Sequence, residues 1–244
     1  MATHTCALRN VLYITILTNT LEDSNFVPKR RSKRGEARVG AILDAATDVF
    51  LARGYEKSTL DEIVAKSGGS KSLVYEQFGG KAGLFRAMME QRCAGMMEPL
   101  AAVAEAGRTP RNVLTAFARG FVAALLHPEV IGLQRIAVAE GIRYPEVAET
   151  YFACGHDAAY DQLAAYLHRV GLGPQDASQL RRLVVVFFAM IQGDATERIV
   201  VGAQPVPEAE IEIYTALAVE WLLGKLLETE REECPTKVQP NKDG

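Results

Sequence analysis

The stretch SGGSKSLVYEQFGGK, residues 67–81, sets two glycine pairs around one short run of mixed polarity. Ser70 has the chemistry of an N-cap, because its hydroxyl can accept an N–H of the first helical turn. Gly79 and Gly80 suit a helix end, since glycine enters the left-handed region without a Cβ penalty. The spacing predicts a helix over 71–78 of about two turns, too short to be stable alone in water. Leu73, Val74 and Phe78 fall on one side and would pin it to a scaffold. Lys71, Ser72, Tyr75, Glu76 and Gln77 are left polar and exposed on the other.

Working outward, Val39, Ile42, Leu43, Ala46, Val49 and Phe50 recur at helical spacing from Glu36 onward. That helix is expected to stop at Gly54. Thr59-Leu60-Asp61-Glu62 reads as a capping box opening a second helix, with Leu60, Ile63 and Val64 as its narrow apolar stripe. Lys81 opens a fourth helix that carries Leu84, Phe85, Met88 and Met89. Two short helices joined by about four residues containing glycine have the spacing of a helix-turn-helix. A small polar helix held against a scaffold fits a DNA major groove.

The rest reads as longer helices with no internal repeat. One spans 111–126 and stops at His127-Pro128, because the residue before proline disfavours the α region. Others span 129–141, 146–170, 175–201 and 208–228, the segment 146–170 with Ala159, Leu163, Tyr166, Leu167 and Val170 on one face. Within 175–201, residues 183–191 are apolar almost all round and are expected to be covered on most sides. The expected fold class is all-α: a three-helix helix-turn-helix domain over 35–82, then a helical bundle over 83–230. Residues 1–34 read as a basic extension and 231–244 as a polar tail, both without fixed structure. The run PKRRSKRGEAR, 28–38, is either a solvated linker or an arm lying along phosphates.

The charge is unevenly spread. Residues 28–90 carry twelve Lys/Arg against eight Asp/Glu, while 91–244 carry fourteen against twenty. A basic segment before an acidic one suggests that the first part meets a polyanion. Cys6, Cys93, Cys154 and Cys234 have no metal or redox spacing, which suits a reducing compartment. No apolar run approaches the roughly 20 residues needed to span a membrane. VLYITIL, 11–17, lacks the flanks of a signal peptide. A cytoplasmic protein with no membrane partner is expected.

The run AILDAATDVFLARGYEKSTLDEIVAKSGGSKSLVYEQFGGKAGLF, 41–85, resembles the DNA-binding domain of TetR-type (TetR/AcrR) transcriptional regulators. The resemblance is carried by Ala45, Phe50, Gly54, Tyr55, Ser58, Thr59, Ile63, Gly68, Ser70, Lys71, Tyr75, Phe78, Lys81 and Leu84. Two departures stand out. Gly69 replaces a common apolar residue, which would loosen the turn, and Ala82-Gly83 replaces an acid-Ala pair, which would weaken that helix start. LQRIAVAEGIRYPEVAETYF, 133–152, and GDATERIVVG, 193–202, are similar to the AefR-like class of C-terminal domains.

The resemblance implies a homodimer on a palindromic operator in double-stranded DNA. Each protomer would place its third helix in the major groove and bind a small-molecule effector inside a C-terminal ligand-binding and dimerisation bundle. It implies DNA-binding roles for Thr59, Ser70, Lys71, Ser72, Tyr75, Glu76, Gln77 and Lys81. Gln77 would read a base edge, Thr59, Tyr75 and Lys81 would hold phosphates, and Lys71 could do either. Thr59 and Ser70 serve equally as helix caps, Tyr75 as half core, and Lys81 as an ordinary surface lysine. An aromatic-walled pocket would draw on Phe117, Phe121, Tyr151, Phe152, Tyr160, Phe187, Phe188 and Gln192, residues that helical spacing equally assigns to plain core. The last two long helices would pair across the dimer through Val184, Phe188, Ile191, Tyr214, Leu217 and Trp221. No cofactor or metal is expected, since His168 and Cys154 lack ligand spacing. His156-Asp157 has no nucleophile motif and no third partner for catalysis. The expected function is therefore a ligand-responsive, sequence-specific DNA-binding regulator, a repressor released by a small lipophilic effector. An enzyme using the aromatic cavity and a sequence-tolerant DNA-bridging protein are the competing classes.

Overall fold

The computed structural model describes residues 33–105 and 109–233, with side chains described over 35–95 and 109–228. The expectations for residues 1–32 and for the tail from 234 lie outside the described residues. The described residues form helices and no strand.

Helix α1 (Lys33–Lys57) starts a turn before the expected period and is broken at Gly54, where φ is 78° and ψ 176°. The Ser58 hydroxyl donates to the Gly54 carbonyl at 2.6 Å and closes that end. Helix α2 (Leu60–Ser67) opens on the expected capping box: Thr59 Oγ1 accepts from Glu62 N at 3.3 Å, and the Glu62 carboxylate accepts from Thr59 N at 3.2 Å. Helix α3 (Lys71–Phe78) is capped by Ser70, which accepts from Leu73 N at 3.2 Å, and ends on Gly79 in the left-handed conformation.

Helix α4 (Lys81–Glu105) leads out of this head. The body follows as α5 (Pro110–Leu125), α6 (Pro128–Glu140), α7 (Pro145–Phe152), α8 (Ala158–Arg169), α9 (Ala177–Gln192), α10 (Ala195–Val200) and α11 (Glu208–Glu233). Helix α9 packs along α11 and α8, and α4 against α5 and α7.

Two expectations are corrected. The segment 146–170 is not one plain helix: a π-helical turn, Ala153–Asp157, joins α7 to α8. Its wider turn brings Tyr151 and His156, five residues apart, onto the same inward side. Val170 lies past the end of α8 and is exposed. The segment 175–201 breaks at Gly193, whose φ of 51° ends α9, with the Tyr214 ring lying where a Cβ would crowd it at 3.1 Å. Along 183–191, Val184, Phe187, Phe188 and Ile191 are buried, while Val186 is 44% exposed.

Two apolar cores result. The first joins the head to α6 and α7 and includes Ile42, Phe50, Tyr55, Ile63, Val74, Phe85, Met88, Leu133 and Tyr151. The second fills the body with Phe117, Phe121, Leu163, Leu167, Phe187, Phe188 and Leu222. Helices α5 and α6 together are long and apolar enough for a membrane but meet at 67°, and most of their apolar residues belong to these cores. No single helix among the described residues is long and apolar enough to cross a bilayer.

Candidate nucleic-acid interface and effector cavity

Both departures from the expected head pattern have a steric reason. A Cβ on Gly69 would meet the Ile42 side chain at 3.2 Å, so the turn lies tight on α1 and is not loose. A Cβ on Gly83 would land on the Phe78 carbonyl oxygen, so glycine lets α4 start directly beneath the end of α3. Helix α3 is thus fixed at both ends. Val74 is fully buried, and Leu73 and Phe78 pack partly buried on the head core.

The opposite face of α3 is free. Lys71, Ser72 and Glu76 are exposed, Tyr75 is 59% exposed, and Gln77 is half-buried. Lys71 Nζ lies 2.8 Å from Asp61, an exposed pair of the kind that contributes little and can be exchanged for a phosphate. Thr59 and Ser70 are occupied as caps. Lys81 turns inward: its ammonium donates to the Glu56 carbonyl at 3.0 Å and stands 4.6 Å from the centre of the Tyr55 ring. Burial pushes its pKa below the usual lysine range, against the pull of Glu140 and Glu56.

Lys81 belongs to a joint between head and body that the sequence did not suggest. The Glu140 carboxylate, at the end of α6, accepts the N–H groups of Tyr55 at 2.9 Å and Glu56 at 2.5 Å. The Tyr55 hydroxyl donates to Glu146 at 3.1 Å, and Arg143 pairs with Glu56 at 2.5 Å. Burial and then Glu146 raise the Tyr55 pKa, so it stays a neutral donor. Gly54 is required twice here, for its backbone angles and because a Cβ would strike the Glu140 carboxylate.

A cavity of about 50 Å³ lies at the seam of the two cores. Its wall is made by Met89, Arg92 and Cys93 of α4, Phe121, Ala124 and Leu125 of α5, Val130 and Leu133 of α6, and Tyr151, Cys154, Gly155 and His156 across the π-turn. At 10–15 Å³ per water, it has room for about four waters and must widen for a drug-sized molecule. Of the eight residues expected to line a pocket, Phe121 and Tyr151 do so. Phe117, Phe187 and Phe188 are packed in the body core, and Phe152 is 55% exposed. Tyr160 packs on that core, and Gln192 is not on the cavity wall.

Asp157 is drawn away from His156 by Arg181, at 2.6 Å. Burial pushes the Cys154 thiol up to about 11 and Cys93 to about 12, so neither is a thiolate near neutrality. Among the described residues no cluster of three or more His, Cys, Asp or Glu could hold a metal.

Burial also sorts the expected dimer residues. Val184, Phe188 and Ile191 are fully buried within one protomer, which takes them out of a partner's reach. Tyr214 and Trp221 are half-buried and Leu217 is exposed. Among the described residues, the large apolar side chains left open on the two helices are Val186 on α9 and Ile213, Leu217 and Leu227 on α11.

This geometry defines a class: a helix-turn-helix head whose short third helix is presented to solvent, mounted on a helical body with an internal cavity. The comparisons give the family. Residues 42–88 match the model of bacterial regulatory proteins of the tetR family, and 112–225 that of the AefR-like transcriptional repressor C-terminal domain. The chain belongs to the TetR family of transcriptional regulators, which are not enzymes. Among curated relatives, the HTH-type transcriptional activator FasR of Mycolicibacterium smegmatis is 29% identical over 118 residues, 48% of this chain and 53% of that protein. The regulator SrpR of Pseudomonas putida is 41% identical over 51 residues, 21% of this chain and 24% of that one. The chain thus spans about half or less of the length of the curated relatives it matches. In fold it is similar to a TetR-family regulator from Mesorhizobium loti, with TM-score 0.65 and 23% identity over 79% of this chain and 98% of that one. The flavonoid-responsive regulator FrrA gives TM-score 0.62 and 23% identity, covering 78% and 96%.

Proposed function

We propose that the chain acts as a homodimeric, sequence-specific repressor on a palindromic operator in the cytoplasm and is released by a small lipophilic effector. The observation that carries this reading is the free face of α3, where Lys71, Ser72, Tyr75 and Glu76 project from a helix capped at one end and glycine-stopped at the other. Lys71 and Tyr75 suit phosphates, and Gln77 suits an adenine edge. Ser70 caps that helix, Thr59 caps α2 before it, and Lys81 is held at the Glu56 carbonyl. The exposed apolar residues of α9 and α11 favour a second copy as partner, and the match of the body to an AefR-like repressor domain favours repression.

Two recognition helices reach successive major-groove faces only about 34–36 Å apart. An effector that widens the cavity between α4 and α6–α7 would shift that spacing, so effector and operator binding oppose each other. Selection of bound duplexes from a random pool tests the proposal. A palindrome of fixed half-site spacing is expected, and no enrichment of any sequence would overturn it.

A further inference from the structure

We infer that the cavity takes a small uncharged phenol, its hydroxyl bridging Tyr151 Oη and His156 Nδ1; this deepens the effector reading above and rests on it. Both side chains line the cavity and are almost wholly buried, at 5% and 7% exposed. Yet Tyr151 Oη and His156 Nδ1 have no hydrogen-bond partner among the described residues. Buried polar groups left unpaired are costly, so two of them on one cavity wall mark a place for a polar atom.

The chemistry of the pair selects the group. With the imidazole proton on Nε2, the unpaired Nδ1 is left to accept. Burial holds the imidazole neutral, so Nδ1 is a bare acceptor while Tyr151 offers an O–H. The two rings lie 5.6 Å apart, centre to centre. One hydroxyl can donate to Nδ1 and accept from Tyr151 at once. A carbonyl or ether can satisfy Tyr151 only. A carboxylate finds no free cation among the described wall residues: Arg92 is held by Asp44 at 2.8 Å and lies 3.2 Å from Glu129. The remaining wall favours an aromatic body. Phe121 stands edge-on to His156 at 5.7 Å, and the sulfurs of Met89, Cys93 and Cys154 suit the edge of a ring. The small volume restricts the ligand to a single ring unless the seam opens.

The test is calorimetric titration of the purified full chain with 4-methylphenol, 4-methylanisole and toluene, with duplex selection run on the same sample. 4-Methylphenol is expected to bind one per chain, at least ten-fold more tightly than the ether or toluene. Tyr151→Phe is expected to reduce 4-methylphenol affinity about ten-fold and leave toluene affinity unchanged, with thermal unfolding confirming that the variant folds. Equal affinity for the three compounds, or no saturable binding of any, overturns the inference. If duplex selection still yields a palindrome, that failure leaves the regulator reading standing. If it yields none, the regulator reading fails as well.

Discussion

Glu140 and Tyr55, 85 residues apart, meet at 2.9 Å, where a carboxylate oxygen of Glu140 accepts the Tyr55 backbone N–H. This bond ties the broken end of α1 in the head to the last residue of α6 in the body. Val130 and Leu133, earlier on α6, line the cavity. One helix therefore touches the cavity with its middle and the head with its end, which makes it the natural lever between them.

Removing the charge at that joint should loosen it. Glu140→Gln keeps the shape but weakens two charge-assisted bonds. About 1 kcal/mol of stability should be lost, the low value reflecting partial solvent access. In a chain of this size that lowers Tm by about 2–4 °C. An unchanged melting curve would show that the joint contributes nothing.

Gly83→Ala reverses a usual rule. Alanine in place of a helical glycine ordinarily stabilises by about 0.5–1 kcal/mol. Here the added methyl would collide with the Phe78 carbonyl, so the variant should unfold at lower denaturant than the parent. Urea titration gives the sign directly, and a stabilised variant would refute the close approach.

On the DNA side, Lys71→Ala should weaken binding to all duplexes alike and reduce the salt slope by about 1. Gln77→Ala should relax preference at one or two positions per half-site. Lys81 is a poorer phosphate probe, because its loss also removes the bond to Glu56. Affinity against salt and against base substitutions separates these outcomes. A uniform loss from Gln77→Ala would remove its base-reading role.

Acid should act through His156. Burial lowers its folded-state pKa and outweighs Asp157, Gln192 and Glu197, which pull it up. The unfolded imidazole, near 6.5, therefore takes up its proton first as pH falls. Stability is retained above about pH 6.5 and declines below it. Tm should drop more between pH 7.5 and 5 for the parent than for His156→Gln. Parallel curves would contradict this.

Leu217, 58% exposed at the centre of the open α11 face, tests the proposed assembly. Leu217→Arg leaves the protomer core untouched and should convert a dimer to a monomer by light scattering. A variant that stays dimeric would place the interface elsewhere.

What the sequence determined by itself was local. The capping box at Thr59, the cap at Ser70 and the glycine stops at Gly54 and Gly79 are backbone chemistry of adjacent residues, so short spacing reveals them. The helical period likewise announced which face of α3 is buried. What only the tertiary structure decided depends on partners far along the chain. Gly69 and Gly83 looked like weak substitutes until Ile42 and the Phe78 carbonyl were seen occupying the missing volume. Val184, Phe188 and Ile191 looked like interface residues until α8 and α11 covered them. Met89, Cys93 and His156 became cavity wall only because the π-turn shifts the inward face and α4 crosses it, and helical periodicity carries no record of which other helix lies opposite.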